Sequence, residues 1–110
     1  MQSNDYFVRL PVSVLLDPEL SRSAILIYAV LLDLADQYGI VQRMTIEDLA
    51  DRCHCSPKTV RRSERQLVDK HMIEIYRTGR ASMISIVGMQ QMLRQVSGVR
   101  GYAQAKRKEA

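Results

Sequence analysis

Two helix signals with only three or four residues between them constrain this chain more than any other feature. Thr45 offers a hydroxyl N-cap, and Glu47 and Asp48 follow in the first turn, where negative charge suits the helix dipole. Ile46, Leu49, Ala50 and Cys53 then recur on one face. After Cys53-His54-Cys55, Ser56 is an N-cap and Pro57 stands at the first helical position, which starts a further helix running to Lys70. Upstream, Ser21 caps a helix expected over Arg22 to Tyr38, with Gly39 at its C′ position. Its Ala24, Ile25, Tyr28, Leu31, Leu32 and Ala35 share one face, while Leu26, Ile27, Val30 and Leu34 spread apolar character around the cylinder. That pattern predicts either a central buried helix or a remainder that meets another subunit.

Downstream the period changes from helical to alternating. "MIEIYR" at Met72 to Arg77 places Ile73 and Ile75 on one side and Glu74 on the other, "TGRA" supplies a glycine turn, and "SMISIV" alternates through Ile84 and Ile86. Together they predict a β-hairpin. At the N-terminal end, "FVRLP" reads as a short extended segment stopped by Pro11, and "VSVLLDPEL" as a turn of helix or a loop broken by Pro18. Met89 to Val96 permits a short helix before a polar, basic tail. The expected organisation is an N-terminal segment over 1–10, one domain over 11–87, and a short helix with basic tail over 88–110.

At 110 residues there is room for one core. The longest apolar run, Ala24 to Leu32, is nine residues and is closed by Asp33, below the roughly 20 that span a bilayer, so no membrane helix is expected. "MQSNDYFVRL" lacks the cationic start and apolar stretch of a secretion signal, and a cytoplasmic location is expected. The net charge of +4 hides a division. Residues 1–55 hold four Lys/Arg against eight Asp/Glu, and residues 56–110 hold twelve against four. A polyanionic partner for the basic half is one reading, because clustered cations release counterions condensed on a phosphate backbone; a solvated basic face is the other.

The element order helix, helix, short turn, helix, hairpin resembles a winged helix-turn-helix, mainly α with a small β-hairpin. In that family pattern a small residue lies midway along the first helix of the motif, a turn residue able to take positive φ follows four later, and an aliphatic residue comes six after that. Ala50, His54 and Val60 stand at those spacings, with Leu49, Cys53, Cys55 and Leu67 at the flanking apolar positions. His54 replaces the usual turn glycine, and Ser63 stands where alanine or an apolar residue is usual. The resemblance covers about Phe7 to Val87 and is most specific in "SPKTVRR", in "MIEI…TGR" and in the "LS…A…IYAVL" of the first helix. It is similar to the N-terminal domains of plasmid and phage replication initiators and replisome organisers, and to related small transcriptional regulators. It implies a double-stranded DNA partner.

On the helix after Ser56, Val60, Ser63 and Leu67 face the core, which leaves Lys58, Arg61, Arg62 and Arg65 on the opposite face at i, i+3, i+4 and i+7. A major groove admits such a helix. Lys58, Thr59 and Arg62 are then candidates for base contact, Arg61 and Arg65 for base and phosphate, and Ser56 with the first helical amides for a phosphate oxygen. Arg77 and Arg80 bracket Thr78 and Gly79 at the wing, placed for backbone or minor-groove contact. Glu64 and Asp69 are available to pair with these arginines. A homodimer is expected because one short module makes few base contacts, with replication or transcription machinery as further partners.

Cys53-His54-Cys55 also invites a metal reading. A single residue between thiols makes a poor chelating pair and His71 is the only other histidine, so core packing is the stronger reading and no metal or cofactor is expected. The sequence holds no phosphate-binding glycine loop, nucleophile elbow or HExxH, and no enzyme activity is expected. The remaining functional classes are sequence-specific DNA binding, in replication or in transcription, and a protein-interaction module whose basic face docks an acidic partner protein.

Overall fold

Hydroxyl caps begin the three longer helices. Ser21 Oγ accepts from the Ala24 amide at 3.1 Å, Thr45 Oγ1 from Asp48 at 3.0 Å, and Ser56 Oγ from Thr59 at 3.1 Å. The computed structural model describes residues 7–89. The basic tail, and all but the first residue of the helix expected from Met89 to Val96, lie outside the described residues. The elements are α1 (Val12–Leu15), α2 (Arg22–Leu34), β1 (Ile40–Met44), α3 (Ile46–Cys53), α4 (Pro57–Asp69), β2 (Ile73–Thr78) and β3 (Ala81–Ile86). The strands form one antiparallel sheet in the order β1-β3-β2. This is a winged helix-turn-helix.

Two elements differ from expectation. The helix over Arg22 to Tyr38 stops at Leu34, and Ala35 is already extended at φ −71° and ψ 147°. Asp36 causes the stop. Its Oδ1 accepts from the amides of Tyr38 at 2.8 Å and Ile40 at 3.0 Å, so the side chain offers the backbone a turn in place of helix. Gly39, at φ +80°, therefore does not end the helix; it leads into a strand that the sequence reading lacks. A side chain at Gly39 would bring its Cβ to 3.0 Å from Met89 Cβ and 3.3 Å from the Ile86 carbonyl oxygen, a crowding that adds to the strain of a side chain at this left-handed φ. The expected two-stranded hairpin is in consequence a three-stranded sheet.

The core gathers side chains from every element except α1. Ala24, Ile27 and Leu31 of α2, Leu49 of α3, Val60 and Leu67 of α4 and Ile84 of β3 are fully buried. In α2 Ile27 lies inside the core, while Leu26 is 47% exposed. Each of the fully buried Val, Leu and Ile residues stabilises the fold by about 1.5–3 kcal/mol relative to an exposed one.

Both histidines of the described chain serve as helix stops. His54 lies in the left-handed region at φ 55°, and His71 does so at φ 59°. After α3 the Cys55 amide donates to the Ala50 carbonyl at 3.1 Å, and after α4 the Met72 amide donates to Leu67 at 2.9 Å. Both ends follow the Schellman pattern, in which an αL residue lets the chain satisfy the last carbonyls. A second set of bonds fixes the far end of α4. Lys70 Nζ lies 2.8 Å from Asp17 Oδ2 and 2.9 Å from Glu19 Oε1, and the Ser21 amide donates to Gln66 Oε1 at 2.9 Å. The bond from Lys70 lowers the Asp17 pKa, and the bond to Asp17 raises that of Lys70. The approach to α2 is thereby tied to the last turn of α4.

Candidate nucleic-acid interface

The helix pair is built as the spacing requires. Ile46, Leu49, Ala50 and Cys53 bury one face of α3, and Val60, Ser63 and Leu67 bury the facing side of α4. His54 makes the turn in αL, a conformation that histidine reaches more readily than branched residues do. Cys53 is buried and Cys55 half-buried, and burial pushes the Cys53 thiol pKa up. A raised thiol pKa disfavours the thiolate that a metal needs as ligand. Among the described residues no group of three or more His, Cys, Asp or Glu is arranged to hold a metal ion.

Lys58, Arg61, Arg62 and Arg65 are all exposed on α4, opposite the buried face. None of them forms a salt bridge among the described residues. Thr59 is half-buried beside them. Ser56 donates from its hydroxyl to Thr59 Oγ1 at 3.0 Å while accepting from the Thr59 amide, so its first role is to start α4 and aim it. Any phosphate at this end would meet the remaining first-turn amides.

The wing is a tight hairpin. Thr78 pairs with Ala81 across a two-residue loop, Gly79-Arg80. Gly79 has φ +72° and Arg80 is not among the positive-φ residues, the pattern of a type II′ turn, which needs glycine at its first central position. Thr78 and Arg80 are both exposed at this tip.

Glu64 pairs with Arg77 of the wing, one of the pairings open in the sequence, and with none of the arginines of its own helix among the described residues. Its carboxyl is buried and bonded across to the wing. Arg77 donates from Nη2 to Glu64 Oε1 at 3.1 Å and from Nη1 to Ser82 Oγ at 2.9 Å. The Glu64 side chain is 5% exposed and that of Arg77 48% exposed. Burial raises the Glu64 pKa, and Arg77 opposes that rise by charge and hydrogen bond. Arg77 thus joins the wing to α4, with the rest of its guanidinium at the rim of an open groove of about 320 Å³ lined by Arg61, Glu64, Arg65, Val68, Ile75 and Arg77.

Removing Arg77 leaves a buried carboxylate without its partner. Breaking a buried pair in this way costs about 3–5 kcal/mol, and half-exposure of Arg77 reduces that here to about 2–3 kcal/mol for Arg77→Ala at neutral pH. The penalty belongs to ionised Glu64, whose folded pKa is raised further once Arg77 is gone. It is therefore present in full above that folded pKa and fades as the pH falls toward the unfolded value near 4.5. Urea unfolding of both proteins at neutral and acid pH checks this; a difference that does not shrink in acid contradicts it.

The sequence reading also misses Arg43, because it lies on the unforeseen β1. Arg43 is exposed, with φ 53°. The only local signals for that strand are Gly39 before it and the β-branched pair Ile40-Val41.

One family comparison matches this arrangement. The sequence model of a family described as a helix-turn-helix domain matches residues 19–73, from the approach to α2 through α3, the turn and α4 to the first residue of β2. The chain belongs to the helix-turn-helix domain family. No match was found among curated proteins or among solved structures. In this helix-turn-helix domain α3 and α4 are the paired helices of the motif, and DNA is the partner to which family membership points. Among the described residues no helix is long and apolar enough to cross a membrane.

Proposed function

We propose that this helix-turn-helix domain binds double-stranded DNA sequence-specifically, in the initiation of plasmid or phage DNA replication. The observation that carries the DNA reading is the stripe of Lys58, Arg61, Arg62 and Arg65, four exposed cations on α4 with no salt bridge among the described residues. In this reading α4 enters a major groove, where Lys58, Thr59 and Arg62 read base edges and Arg61 and Arg65 divide between bases and phosphates. Ser56 sets the start of the helix at the backbone. Thr78 and Arg80 at the wing tip contact the neighbouring backbone or minor groove, and Arg77 holds the wing at a fixed angle to α4 while presenting its outer edge to the groove rim.

The replication role rests on the resemblance to replication initiator domains read in the sequence over Phe7 to Val87. A homodimer is supported by the exposed apolar side chains of the N-terminal region, Val12 at 65%, Leu15 at 52% and Leu16 at 71%. Selection of bound sequences from a random duplex pool tests the proposal. Recovery of a defined site, with two related half-sites about one helical turn apart, is the expected outcome. Recovery of no enriched sequence, with binding to an acidic protein surface retained, would favour an interaction module instead.

A further inference from the structure

We propose that Arg43, on a bulge of β1, is a phosphate-binding residue that makes the edge strand a third DNA-contacting element beside α4 and the wing. The inference rests on the DNA reading above. Its starting point is register. Val41 pairs with Ile84 and Met44 with Ser82, so Gln42 and Arg43 together stand opposite Met83 alone, which is a β-bulge. Both bulge residues are exposed.

The same register fixes which end of the sheet carries the bulge. Ser82, opposite Met44, is paired on its other side with Arg77, and Ala81 with Thr78 next to the hairpin tip. The C-terminal end of β1 therefore lies beside the wing-tip end of β2 and β3. Arg43, Arg77 and the tip residue Arg80 are cations of one end of one sheet, and Arg43 stands on the order of 10 Å from Arg80 by strand rise and spacing. That separation suits contact with phosphates a step or two apart along the same backbone.

The backbone conformation of Arg43 sets it apart from an ordinary surface arginine. Its φ of 53° is left-handed, where a side chain with a Cβ is disfavoured and glycine or asparagine would be at ease. It sits within the bulge, a device that breaks the strand's alternation and re-aims a side chain. Like the cations of the α4 stripe, it forms no salt bridge among the described residues. Glu47 and Asp48 follow in the first turn of α3, yet Arg43 forms no salt bridge with either. Those carboxylates also repel phosphate from the α3 N-terminus, and Arg43 is the cation that β1 presents just before them.

The test uses the full chain and a duplex of arbitrary sequence, with affinity measured over a series of salt concentrations for wild type, Arg43→Gly and Arg43→Lys. Arg43→Gly is expected to weaken binding about five- to tenfold and to make the log-log salt slope shallower by about 0.9, the value of one phosphate contact on B-DNA. Its thermal midpoint is expected at or above that of wild type, because glycine relieves the left-handed strain. Arg43→Lys keeps the charge and is expected to bind within about threefold of wild type, with the wild-type slope. Weaker binding in a protein no less stable cannot arise from misfolding. Wild-type affinity and slope in Arg43→Gly, while the unaltered chain binds duplex, would overturn the role of Arg43 and leave the DNA reading standing. Failure of the unaltered chain itself to bind duplex would overturn both.

Discussion

Alanine at both Arg62 and Arg65 is expected to lower the affinity for the selected duplex by about 100- to 1000-fold, or about 3–4 kcal/mol. A well-placed bidentate arginine–base contact discriminates by about 1–3 kcal/mol, and each lost phosphate contact removes one counterion-release contribution as well. The fold is expected to be unaffected. Both side chains are exposed, neither forms a salt bridge among the described residues, and alanine is the best helix former. Fluorescence anisotropy with labelled duplex, beside a urea titration of each protein, separates binding from stability. A loss below about fivefold would place the reading face elsewhere than on α4.

The largest effect on stability is expected from Leu67→Ala. Leu67 is fully buried on α4 within the core cluster that includes Leu31 of α2 and Leu49 of α3. Its carbonyl also accepts the Met72 amide that closes the end of the helix, a bond that survives the substitution. The change therefore isolates packing. Leucine-to-alanine substitutions in well-packed cores remove about 2.7–5 kcal/mol, and a site where three helices converge has little freedom to collapse, so a loss of about 4 kcal/mol is expected. For a domain of this size that is a large share of the total, typically about 5–15 kcal/mol. Urea unfolding measures it directly; a loss under about 1.5 kcal/mol would mean that α4 is not seated on this core.

How much of this was legible in the sequence depended on how local the cause was. Thr45 and Ser56-Pro57 announce α3 and α4 because an N-cap acts within three residues of itself, and the observed caps are those hydroxyls. Ala50, His54 and Val60 fix the turn for the same reason, since a left-handed residue between two helices is a local demand. The end of α2 was not legible. Ala35 and Gln37 favour a helix and Gly39 looks like its stop, but Asp36 bonds to the amides of Tyr38 and Ile40, and the Ile86 amide donates to the Gly39 carbonyl at 2.8 Å. The last of these bonds joins residues far apart in sequence and leads into the pairing of Ile40–Met44 with β3 that makes it a strand.

Within the site, the exposed stripe on α4 followed from helical periodicity alone. Glu64 did not. It lies among the arginines of its helix, and its burial follows from Arg77, thirteen residues further on, together with Ser82 of β3. Arg43 was missed with the strand that carries it. The interface is thus legible where one helix makes it, and not where the sheet brings separate segments together.

The most direct test of the central claim, that the α4 stripe is a DNA-binding surface, is the affinity of the unaltered chain for duplex DNA as a function of salt. Lys58, Arg61, Arg62, Arg65 and Arg80 offer up to five phosphate or base contacts. If three to five of them neutralise phosphates, the logarithm of affinity falls against the logarithm of salt with a slope of about −2.7 to −4.5. Binding that is undetectable at low salt, or an affinity indifferent to salt, would contradict it.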